Sequence, residues 1–258
     1  MKGFGKLLKK DLESIKQVAI VQGVGILLWN LFFFTRVGKE SPPWMVLPTL
    51  LPFVLVFFWH IMQTVQVYRH EWQLGGIYQT LTIPQPGWKI ALAKLTAVML
   101  GFVLNTILAA VGFLLTVWRA GFRELAFTYV NSLIQAITLA EFIKTTSVFA
   151  LGYLMLGINI AVVIHASYNC MRLTSRFRFL LGISLFTVGW LQSLFASAGY
   201  HIFRWVPHFA IKVPFGDPLN IPQTVNVIFN SSIILGYILA LALTFWLTGY
   251  LIENVLEV

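Results

Sequence analysis

Ile90-Ala-Leu-Ala-Lys-Leu-Thr-Ala-Val-Met-Leu-Gly-Phe-Val-Leu-Asn-Thr-Ile-Leu-Ala-Ala-Val-Gly-Phe-Leu-Leu-Thr-Val117 holds one charge, Lys94, and none across residues 95–117. A helix rises about 1.5 Å per residue, so this run alone covers the ~30 Å of a hydrocarbon core. Composition says the same of the whole chain. Of 258 residues, 58% are hydrophobic and 10% charged, against about 45–50% and about 25% in soluble domains. Mean hydropathy is +0.81. So few charges cannot cover the surface of a soluble fold, which excludes soluble enzymes, nucleic-acid binders and disordered chains. The net charge of +9 fits Lys- and Arg-rich cytoplasmic loops. The single Cys170 permits no intrachain disulfide.

Working outward from that span, five more apolar runs are expected to cross: 17–34, 45–67, 142–164, 179–198 and 230–251. Each has an aromatic or basic residue near at least one end, as membrane interfaces favour. The fold class is therefore all-α, a single six-span transmembrane domain over residues 1–258. Leu125 to Ala140 is also apolar but short, bounded by Glu124 and Glu141. A crossing there would put Arg172, Arg176 and Arg178 outside, so it reads as an outer interfacial or re-entrant helix. With six spans, Lys2, Lys6, Lys9, Lys10, Lys16, Arg69, Lys89, Lys94, Arg172, Arg176 and Arg178 lie inside. Both termini are then cytoplasmic, in a multi-pass protein of the cell membrane. The outer loop 199–229 carries Pro207, Pro214, Pro218 and Pro222, too many for one continuous helix.

At the N-terminus, Phe4, Leu7, Leu8, Leu12 and Ile15 recur at helical spacing opposite Lys2, Lys6, Lys9, Lys10 and Lys16. The expectation is an amphipathic interfacial helix over 1–16 lying on an anionic leaflet. No small-residue cleavage site closes the first span, so this is not read as a secretory signal.

The cytoplasmic loop after the second span runs Tyr68-Arg-His-Glu-Trp-Gln-Leu-Gly-Gly-Ile-Tyr-Gln-Thr-Leu-Thr-Ile-Pro-Gln-Pro-Gly-Trp88. Gly75 and Gly76 loosen the chain. Residues 77–81 suit about two helical turns, and Pro84 stops them. Such a helix presents Ile77, Tyr78 and Leu81 to a grooved partner. The plainer alternative is an interfacial hairpin without a partner.

Glu71, Gly75, Leu81, Pro84 and Lys94, together with the six-span layout, resemble the type-2 permeases of ATP-binding cassette exporters. The resemblance is to small members that export, or confer immunity to, antibiotic peptides and other amphiphiles. It implies a coupling helix that docks on an ATPase, carried here by Glu71, Gly75, Ile77, Tyr78, Leu81 and Pro84. It also implies two ATPase subunits per complex and a second permease, identical or homologous. ATP and Mg belong to the ATPase; this chain has no phosphate-binding G-x-x-x-x-G-K-[ST] run. No cofactor is expected in this chain, and it is not read as an enzyme by itself. Gly76 is an extra glycine relative to the family pattern.

His60, Gln63, Asn105, Asn159 and Gln192 are polar residues inside spans. They suit a translocation path or interhelical hydrogen bonds. Rival functions are a non-transporting membrane scaffold and a haem-binding oxidoreductase using His60 and His165. His165, His201 and His208 do not form a metal site on spacing, and membrane lipids are the remaining partners. In a chain lacking Cys170, a cysteine at position 38 should react with an impermeant thiol reagent on intact cells and one at position 85 should not. The reverse pattern would invert the topology.

Overall fold

A computed structural model describes residues 2–38, 43–73, 85–120, 139–172, 180–215 and 223–254. Its elements are α1 (Lys2–Arg36), a short 3₁₀ helix (Pro43–Leu50), α2 (Leu51–Gln73), α3 (Gly87–Arg119), α4 (Leu139–Arg172), α5 (Leu180–Ile202), β1 (Phe209–Phe215), β2 (Gln223–Phe229) and α6 (Ser231–Asn254). Among the described residues, α1, α2, α3, α4 and α6 are long and apolar enough to cross a membrane. The chain is a multi-pass membrane protein, mostly helical.

The framework is a parallel pair, α1 with α3, in a register of 82 or 83 residues. Asp11 meets Lys94, Ile15 packs with Ala97 and Val98, and Gln22 meets Asn105. Farther along, Ile26 clusters with Ala109, Asn30 lies against Gly112, and Val37 packs on Ala120. Steps of four and seven residues along α1 keep one stripe facing its partner. α2 returns antiparallel and packs against both.

Local chemistry sets the helix ends. Pro86 precedes α3 in an extended conformation (φ −62°, ψ 141°). The Gly87 amide, which no intrahelical carbonyl can serve, donates to Glu253 Oε2 at 3.1 Å. That carboxylate also complements the positive end of the α3 dipole. Asn230 caps α6, its Oδ1 accepting from the Ser232 amide at 3.0 Å. Pro48 sits within the 3₁₀ helix, and Pro52 falls in the first turn of α2, where a proline costs no hydrogen bond.

These contacts sort the helix ends. The starts of α1 and α3 and the ends of α2, α4 and α6 share one end of the bundle, here the terminal end. Opposite lies the hairpin end, where Lys144 Nζ donates to the Ala210 carbonyl at 2.8 Å and Ser232 Oγ to the Phe203 carbonyl at 2.8 Å. α5 runs between the two ends. Near its start Ser184 Oγ donates to the Ser167 carbonyl at 3.0 Å, and near its end Gly199 touches Gly236 of α6.

Three expectations change. Residues 1–16 do not form a separate interfacial helix, because α1 is continuous from Lys2 to Arg36. Its stripe meets protein: Leu7 packs with Ile90, Ala91 and Ile252, and Ile15 with Val67. The 199–229 loop contains an antiparallel hairpin, pairing Phe209 with Phe229 through to Phe215 with Gln223. Pro214 is tolerated there because a strand of a two-stranded ribbon has one unpaired edge. Helices also run past the expected spans: α3 and α4 hold 33 and 34 residues, about 50 Å each. The segment 125–138 lies outside the described residues, and its flanks, the end of α3 and the start of α4, share the hairpin end.

α5 and α6 pack most closely where neither has a side chain, since a Cβ on Gly199 would strike the Gly236 backbone. Small residues at helix interfaces drive association in lipid, where hydrophobicity does not. Gly199→Leu should therefore splay the pair and destabilise the fold by roughly 2–3 kcal/mol. Gly152→Leu, with open space at its Cβ, should be near neutral. Melting of the purified protein in one detergent checks the contrast.

Candidate functional site

Large apolar side chains face outward, Phe186 being 76% exposed and Val21 72%. Buried polar residues form layers inside, as a hydrocarbon solvent requires.

The layer nearest the terminal end is ionic. Lys94 Nζ lies 3.3 Å from Asp11 Oδ1, with both side chains 4% exposed or less. It also sits 5.1 Å from the centre of the Tyr68 ring, a cation–π contact strengthened by exclusion of water. Tyr68 stacks on Tyr168 at 5.0 Å and meets His165 edge-on at 5.0 Å. Residues of α1, α2, α3 and α4 are thus joined around one ammonium group. The His165 ring nitrogens have no hydrogen-bond partner among the described residues.

About three turns farther in, Gln22 is a hub. Its Oε1 accepts from Gln63 Nε2 at 2.6 Å and from Asn105 Nδ2 at 2.9 Å. Gly101 leaves the space: a Cβ there would lie 2.9 Å from Gln63 Oε1. One turn from Gln63 on α2, His60 Nε2 donates to the Gly157 carbonyl at 2.9 Å, and Thr64 Oγ1 donates back to the His60 carbonyl at 2.7 Å. Between α4 and α5, Gln192 Nε2 donates to Asn159 Oδ1 at 2.5 Å. Asn30 is buried against Gly112.

Of the expected path residues, His60, Gln63, Asn105 and Gln192 are buried and Asn159 is half-buried. Gln63 and Asn105 come together through Gln22, His60 is their neighbour on α2, and Asn159 pairs with Gln192 apart from them. Each has a polar atom engaged with another helix, the interhelical-bond arrangement. Of the expected coupling residues, Glu71 falls in the last turns of α2. Gly75, Ile77, Tyr78, Leu81 and Pro84 lie outside the described residues. His165 belongs to the terminal end, and His201 and His208 to the hairpin end.

Sequence reasoning did not single out Gln22, Asp11 or Tyr68. A signal was present for Asp11: it stands four residues from both Leu7 and Ile15, on the apolar stripe itself. A carboxylate in that register implies a buried cation, and Lys94 is the one charge in the third span. Compared with protein-family models, with curated proteins and with solved structures, the chain matches none.

Lys94→Met would leave the Asp11 carboxylate buried without its cation, and should destabilise the fold by about 3–5 kcal/mol. Asp11→Leu combined with Lys94→Met should regain most of that, since the desolvation cost of both charges disappears. A double-mutant cycle on detergent-unfolding midpoints measures it, and an additive cycle would show that the two groups act independently.

Proposed function

We propose that this chain is the transmembrane permease subunit of an ATP-driven exporter. It would move a hydrophobic or amphiphilic substrate at the interface between two such subunits, with ATP and Mg on separate ATPase chains. One observation carries the reading: the loop joining α2 to α3 leaves and re-enters at the terminal end, where its flanking helices are fastened to the rest of the bundle. Eight residues into α3, Lys94 is bound to Asp11 of α1. At the start of α3, the Gly87 amide is bound to Glu253 of α6. A partner pulling on the loop would therefore move α1, α3 and α6 together instead of bending one helix. α5 serves as the sixth crossing, its 23 residues reaching from Ser167 at one end to Gly236 at the other. We place the terminal end in the cytoplasm of the cell membrane, because Lys6, Lys9, Lys10, Lys16, Lys89 and Lys94 gather there.

The scaffold reading draws on a different observation, that each path residue has a polar atom bonded to another helix of the bundle. Haem fits poorly. His60 engages the Gly157 carbonyl, while His165 packs on Tyr68, eight residues away from His60 and from Gly157 along their helices. The two imidazoles occupy different layers, whereas axial ligands must face one iron.

Tyr78→Ala with Leu81→Ala should leave the protein inserted and equally stable while abolishing ATPase co-purification or transport-linked ATP hydrolysis. Loss of an interface anchor commonly costs about 2 kcal/mol or more. Tagged protein drawn from native membranes, with mass spectrometry of bound chains and a phosphate-release assay, gives the answer. Full retention of the ATPase and of its activity would favour the scaffold.

A further inference from the structure

A groove runs along the outer face of the α1–α3 pair. Its volume is about 780 Å³, within the ~300–1,000 Å³ of ligand-holding clefts. Ile20, Val24 and Leu27 of α1 and Leu104 and Leu108 of α3 form its walls. Gly23, which lines it, adds no side chain to fill it, and Gly101 also borders it. A Cβ on Gly23 would sit 3.5 Å from Leu108 and 3.8 Å from Asn105.

Its length and polarity narrow the occupant. Lys16 to Leu27 is about 16 Å of helix, against about 15 Å for half of a ~30 Å hydrocarbon core. The stretch below Lys16 is thus about one leaflet deep, and the groove continues past Lys16 to Lys9. Lys9, Glu13 and Lys16 stand at its terminal end. The Glu13 carboxylate lies 4.0 Å from Lys9 Nζ and partly offsets that charge, while Lys16 makes no ion pair among the described residues. Below the lysines the polar group on the wall is Asn105, whose Nδ2 is engaged by Gln22. The groove therefore offers cations at headgroup depth and an apolar channel beneath them.

We propose that this groove holds one acyl chain of an anionic phospholipid from the adjoining leaflet, its phosphate on Lys16 and Lys9. A second copy of the chain fits less well. Two-fold pairing about the membrane normal would set Lys9 and Lys16 against the same lysines, whereas an anionic headgroup complements them. Lipid occupancy does not depend on transport.

The full-length protein, reconstituted in vesicles of equal parts palmitoyl-oleoyl phosphatidylglycerol and phosphatidylcholine and released in mild detergent, tests this by native mass spectrometry. Phosphatidylglycerol should dominate the bound lipid. Lys16→Gln should cut that preference about fivefold, the effect of one basic residue at a membrane surface, with total bound lipid little changed. Lys6→Gln, outside the groove, should leave the preference intact. Gly23→Leu, which fills the channel, should remove the bound lipid, and Gly23→Ala should reduce it. Equal retention of both lipids by the native protein would overturn the proposal. So would a Lys6→Gln effect as large as that of Lys16→Gln, or a folded Gly23→Leu protein that keeps its lipid. If Gly23→Leu fails to fold, the lysine pair and Gly23→Ala decide.

Discussion

Hydrocarbon supplies no hydrogen-bond partner, so a polar side chain carried into it gains most where another part of the protein meets it. That constraint organises this bundle. The Gln22 carbonyl oxygen receives amide hydrogens from both α2 and α3, which fixes three helices in rotation and in register at one level. Lys94 and Asp11 do the same nearer the terminal end, and the Gln192–Asn159 bond links α4 to α5. Apolar contacts alone would leave helices free to slide, because lipid tails are as good a neighbour as leucine. Polar layers at intervals along α1 and α3 remove that freedom.

Small residues let the layers close. Gly101 admits the Gln63 amide, Gly112 admits Asn30, and Gly199 with Gly236 brings two helices into backbone contact. A different glycine, Gly23 of α1, leaves room in the groove on the outer face of the pair. Gly101 borders both the Gln63 amide and the lipid-facing channel.

Five of the six expected spans were legible because an apolar run of about 20 residues has few other uses. Residues 90–117 and the helix Gly87–Arg119 differ by a few positions at each end. The reach of α1 was not legible. A stripe of Phe4, Leu7, Leu12 and Ile15 looks the same whether lipid or protein will cover it, and the difference lies with Lys94 and Val67, far away in sequence. The β-hairpin had a readable signature in Val225, Val227 and Phe229 alternating with Thr224, Asn226 and Ile228, the two-residue period of a strand. The prolines of that loop masked it by suggesting irregular chain. Gln63 and Asn105 stood out as polar residues in spans. Their convergence on Gln22 depends on the register between α1 and α3, which no local pattern encodes. The loop residues 74–84, on which the coupling idea turns, lie outside the described structure.

The carboxylate that caps α3 comes from 166 residues later in the chain. During synthesis, α3 therefore emerges with its first amide unserved, and it stays so until the last turn of α6 has been made and has docked. Assembly of the bundle has a built-in late step: Glu253 reaches Gly87 only when α6 has reached its place beside α3, with Gly249 against Trp88. A chain halted before that residue would carry all the earlier helices yet lack the latch at the base of the α2–α3 loop. The Glu253 contact thus reports that the helices made before it are in place.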